Sequence, residues 1–64
     1  MRFIVGKNTK SGKVTQVNVD YIASFIESTD SLGYWPRVLF KDVNNDEYEW
    51  PGSTDMFLKV VNGE

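Results

Sequence analysis

The chain contains no cysteine and no histidine, and only two prolines in 64 residues. Without cysteine there is no disulfide to staple a small core, the commonest device in scaffolds of this size. Without either residue no Cys/His zinc site can form, and nucleophilic catalysis by a Ser-His or Cys-His pair is excluded. Long hydrophobic runs are missing too. The apolar run near the N-terminus is Phe3-Ile4-Val5, too short for a signal-peptide core, and no stretch approaches a membrane span. These absences lead us to expect a soluble, cytoplasmic protein, with no membrane association and no cofactor.

What is present is a compact-core composition. Hydrophobic residues make up 41% and aromatics 14%, enough to argue against disorder. A single domain spanning 1–64 is expected, with a core made of large side chains, because so short a chain buries only about 60% of the surface its unfolded form exposes. Charge is unevenly spread. Arg2, Lys7, Lys10 and Lys13 stand in the first thirteen residues with no acid, whereas Arg37, Lys41 and Lys59 face nine acids in the rest, for a net charge of −2. A mostly acidic body disfavours nucleic-acid binding, which depends on neutralising phosphates.

Periodicity gives the elements. Residues 2–5 read as a short strand, followed by a polar, basic loop from Gly6 to Gly12. Residues 13–19 alternate, with Thr15, Val17 and Val19 on one face and Val14, Gln16 and Asn18 on the other, a strand signal. Residues 22–28 (IASFIES) fit either period; seven residues are short for a helix and usual for a strand, so a strand is predicted. After the turn-rich 28–33, Tyr34-Trp35-Pro36 leads into a strand over 37–42, since proline suits a strand start or an edge. A turn at Val43-Asn44-Asn45-Asp46 returns the chain into a strand over 47–50, where Tyr48 and Trp50 share one face and Glu47 and Glu49 the other. Pro51-Gly52 ends the sheet. Ser53 or Thr54 caps a helix over about 54–61, whose predicted apolar stripe is Met56, Phe57, Val60 and Val61, and Asn62-Gly63 stops it. Two to three turns are not stable alone, so this helix must dock on the sheet. The expected fold is mainly β (α+β): a five-stranded, curled antiparallel sheet, or an SH3-like small barrel, with one short C-terminal helix.

The order "strand, loop, VNVDYIASFIES, loop, RVLFKDVNNDEYEW, STDMFLKVV" resembles the FlbD-type small proteins of flagellar operons, in which a hairpin, an I-x-x-I-E strand, a long loop, a second hairpin and a serine-capped helix follow one another. The resemblance implies a small intracellular regulatory β protein. Three features depart from it. The second turn, Asn44-Asn45-Asp46, does not end in glycine, and both Tyr34-Trp35-Pro36 and Trp50-Pro51 are additions. No functional residue is carried over from it.

No P-loop or G-x-G-x-x-G is present. The segment Asp42 to Glu47 superficially suggests a calcium loop, but it lacks the central glycine and the glutamate at the twelfth position. With no catalytic constellation, we expect a non-enzyme without a metal: a small binding protein, a regulator or inhibitor that docks on a protein partner. The candidate contact residues are Tyr34 and Trp35, loop aromatics of the kind that anchor interfaces, and the acids Asp42, Asp46, Glu47 and Glu49. The alternative for the aromatics is a place in the core or over a sheet edge. The acids suggest a second function. Glu47 and Glu49 lie about 6.6–6.8 Å apart along a strand, close to two rises of a DNA strand at about 3.4 Å each. Such a row would suit an inhibitor of phage or mobile-element type that imitates nucleic acid; the ordinary alternative is a solvated face that guards a sheet edge. Weak nucleic-acid binding is the third reading. A homodimer is a further expectation, because a small sheet leaves edges to cover.

Overall fold

The computed structural model describes residues 2–30 and 32–63. Strands β1 (Phe3–Asn8) and β2 (Val14–Asn18) form a hairpin, and a single 3-10 turn, Val19–Tyr21, leads to β3 (Ile22–Thr29). Strands β4 (Pro36–Asp42) and β5 (Glu47–Pro51) form the second hairpin, and helix α1 (Thr54–Asn62) follows. All pairings are antiparallel, in the order β2-β1-β5-β4-β3. The five-stranded sheet is therefore open, with β2 and β3 at its edges, and the closed-barrel variant is not adopted.

β1 runs through Gly6, Lys7 and Asn8, three residues beyond the stretch that periodicity marks as strand. Glycine, lysine and asparagine are poor strand formers; tertiary pairing overrides them. Lys7 and Asn8 lie in register with Glu49 and Tyr48 of β5, and this short ladder joins the two hairpins. Gly6 is buried, and a Cβ there would stand 2.8 Å from Cζ of Phe40 and 2.9 Å from Cβ of Tyr48. The missing side chain is what lets those residues close over β1.

The core contains Ile4, Val17, Val19, Val38, Phe40, Tyr48 and Phe57, with Ile22, Trp50, Leu58 and Val61 packed against it. Val17 belongs to an edge strand yet is buried beside residues of β4, so the sheet curls around one face. Phe57 is the side chain α1 buries there. Its ring centroid lies 5.4 Å from those of Phe25 and Phe40 and 5.6 Å, edge-on, from that of Trp50. Burying a phenylalanine fully is worth about 1.5–3 kcal/mol, and aromatic pairs add to it. The helix face differs from the expected stripe: Phe57, Leu58 and Val61 turn inward, while Met56 and Val60 are exposed. Both ends are capped. Ser53 Oγ accepts the Met56 N–H at 3.3 Å, and Gly63 takes the left-handed conformation (φ 77°), which glycine adopts without a Cβ penalty.

Candidate partner-binding site

The loop between β3 and β4 carries the two candidate aromatics, and Asp30 organises it. Its carboxylate accepts the Tyr34 N–H at 2.9 Å, its carbonyl accepts the Gly33 N–H at 3.0 Å, and its own N–H donates to the Trp35 carbonyl at 3.0 Å. Slight desolvation works against the charged carboxylate, but the surrounding loop N–H groups outweigh it and hold its pKa below the ordinary value. Sequence reading passed over Asp30; an Asx-type acid opening a glycine-containing turn is the signal that would have found it.

Held this way, Tyr34 is 78% exposed and Trp35 70% exposed. Neither belongs to the core. Trp35, Pro36, Pro51, Gly52, Ser53 and Met56 border a depression of about 430 Å³, with Arg37 at its rim. The Gly52 N–H donates to the Pro36 carbonyl at 3.1 Å, which fixes the floor where β4, β5 and the start of α1 converge. Met56, which borders the depression with Trp35, is exposed, and so is Leu32 of the loop that carries Tyr34 and Trp35. Single exposed apolar residues are ordinary, whereas a cluster of them with an exposed tryptophan is unusual on a monomer.

The four candidate acids fall into different environments. Asp42, expected on a contact surface, is instead buried, only 9% exposed. Its Oδ1 accepts the Asn44 and Asp46 N–H groups at 2.9 and 3.0 Å, and its Oδ2 accepts the Tyr48 hydroxyl at 3.2 Å. It is the internal acceptor that shapes the β4–β5 turn, in which Asn45 is left-handed (φ 67°). The cause is geometric: an aspartate opening a tight turn can bond N–H groups two and four residues on. Burial, chiefly, and then the Asp42 charge push the Tyr48 phenol above its ordinary pKa. Asp46 is exposed at the turn.

Glu47 and Glu49 are half-buried on the face away from α1, and their neighbours there include cations. Glu49 forms an ion pair with Arg37 and stands in register with Lys7, and Glu47 stands in register with Lys41. The Arg37–Glu49 side chains are about one-third exposed, so the pair adds little stability. Its effect is on the field: the carboxylates alternate with positive groups instead of forming a bare row.

Among the described residues there is no group of three or more acids, histidines or cysteines placed to hold a metal ion, and no helix long and apolar enough to cross a membrane. No protein-family model, curated protein or solved structure matches the chain.

Proposed function

We propose that this is a small, non-enzymatic binding protein of the cell interior, a regulator or inhibitor that docks on a protein partner through the Tyr34–Trp35 end of the molecule. The observation that carries the reading is Trp35. It is 70% exposed on a loop that hydrogen bonds hold in place, beside an apolar depression edged by Pro36, Pro51 and Met56. An ordered loop loses less entropy on binding than a mobile one, and tryptophan and tyrosine are the residues most enriched among interface anchors. The depression is apolar and has one cation at its rim, which suits a protein surface better than a phosphate backbone.

The partner surface takes in Tyr34, Trp35 and Met56. Asp46, Glu47 and Glu49 lie elsewhere, and the cations beside Glu47 and Glu49 weigh against a phosphate-imitating row. The test is affinity capture from the native host with the wild type and with Trp35→Ala. Because Trp35 is exposed, the variant should fold with stability unchanged to about 0.5 kcal/mol. It should lose about 2 kcal/mol or more of partner affinity, roughly thirtyfold in Kd. Equal capture by the two proteins, or a variant that unfolds, contradicts the reading.

A further inference from the structure

The two edges of the sheet are protected unequally. β2 is five residues long and is preceded directly by Lys13. β3 is eight residues long, almost wholly exposed, and carries one charge, Glu27, with no proline or lysine. Natural sheets guard or cover an edge of that length, since its free N–H and C=O groups are a template for another strand.

The direction of those groups can be read from the ladder. Thr29 is in register with Pro36, and the next pair, Asp30 and Trp35, is joined by the Asp30 N–H at 3.0 Å. Alternate residues of an antiparallel strand bond the same neighbour. Ser24, Ile26 and Ser28 therefore bond β4, and Phe25, Glu27 and Thr29 turn their backbone groups to the open edge.

We propose that a second copy of this chain covers the edge, β3 lying antiparallel to β3 about a two-fold axis at Ile26. This register follows from the residues. Centring on Glu27 sets two like charges directly opposite, which is destabilising. Centring on Phe25 calls on Ala23 as a bonding residue, and the strand is irregular between Ile22 and Ser24. Centring on Ser28 leaves Phe25 and Ile26, the exposed apolar residues of the strand, outside the bonded pairs, whereas centring on Ile26 uses only the regular part and puts both in the contact. Phe25 and Glu27 of one copy exchange backbone bonds with Glu27 and Phe25 of the other, about four bonds in all.

Side chains on both faces fit that register. On the face away from α1, Ile26 is 62% exposed and stands in register with Leu39, so pairing it with its own copy makes a continuous strip, Leu39-Ile26-Ile26-Leu39. On the helix face, Phe25, 40% exposed, meets the methylenes of Glu27 from the other copy. Beside Phe25 on that face lies an apolar groove of about 420 Å³ between β3 and α1, lined by Ile22, Phe25, Leu58 and Val61. The contact is isologous and closes on itself, leaving the short β2 edges outermost. It does not rest on the docking reading, since the β3 edge and the Trp35 depression are different surfaces.

The absence of native cysteine makes the test clean. Opposed residues of a non-hydrogen-bonded antiparallel pair have Cα atoms about 4.5 Å apart, within the range a disulfide spans. Under mild oxidation, Ile26→Cys should run as a covalent dimer on a non-reducing gel, while Val14→Cys, on the β2 edge, stays monomeric. Sedimentation equilibrium of the wild type should show a reversible dimer, and Ile26→Lys should weaken it by about tenfold or more with its circular dichroism unchanged. A wild type that sediments as a monomer up to about 1 mM, or equal cross-linking of the two cysteine variants, overturns the proposal.

Discussion

Asp42→Ala removes the one acceptor shared by two turn N–H groups and the Tyr48 hydroxyl. The turn bonds are partly open to water, which replaces them in the variant, so each counts as an ordinary hydrogen bond, about 1 kcal/mol, and not at the higher value of a buried bond to a charge. The Tyr48 hydroxyl differs. Tyr48 is 8% exposed, and a buried hydroxyl that loses its acceptor costs about 1–3 kcal/mol. The expected loss is about 3–5 kcal/mol, most of the stability of a domain this small. At about 4–8 °C per kcal/mol, the melting temperature should fall by more than about 12 °C. Urea unfolding followed by circular dichroism would measure it as a lower midpoint at unchanged slope. Asp42→Asn keeps an oxygen for the turn and should lose less than Asp42→Ala. Tyr48→Phe alone should cost about 1 kcal/mol, and the double variant should show a coupling of at least about 0.5 kcal/mol between the two sites. An Asp42→Ala loss below about 1 kcal/mol would refute the assignment of Asp42 to the interior.

Two further outcomes follow from the core. Gly6→Ala puts a methyl where Phe40 and Tyr48 already sit, so it should destabilise the fold by about 1–3 kcal/mol, read as a shift of the urea midpoint; an unchanged midpoint would mean that Phe40 does not close over β1. Tyr48 has a folded pKa above its unfolded one, so its contribution is complete below about pH 10 and is lost as pH rises through the folded value. The wild type should therefore lose stability relative to Tyr48→Phe as pH is raised above 10, and parallel pH profiles for the two would contradict it.

The strands were legible because residues with one buried face alternate, as Val38 and Phe40 do against Arg37 and Lys41. Alternation did not separate strand from helix over 22–28; the shortness of that segment did, and β3 is Ile22–Thr29. Nor could alternation find the end of β1, because Gly6, Lys7 and Asn8 are held in the sheet by a ladder to β5, residues distant in sequence. The helix face was misassigned for a related reason. Met56, Phe57, Leu58, Val60 and Val61 put apolar groups on most sides of a nine-residue helix, and the sheet selects Phe57, Leu58 and Val61. At the candidate site, the sequence marked Tyr34 and Trp35 but left open whether they were core; three bonds through Asp30 hold them outward. The acids were the least legible. Whether a carboxylate is a free surface charge or an internal acceptor depends on what stands across the strand or turn, as Asp42 with Tyr48 and Glu49 with Arg37 show.

The proposed partner surface is the Tyr34–Trp35 end of the molecule. Its most direct measurement is the chemical-shift footprint of the captured partner on the isotopically labelled protein. The Trp35 indole N–H and the backbone amides of Gly33, Tyr34, Gly52 and Met56 should move or broaden, while those of the Lys7–Lys13 loop stay in place. A footprint centred on Lys7–Lys13, with the Trp35 indole unmoved, would contradict it.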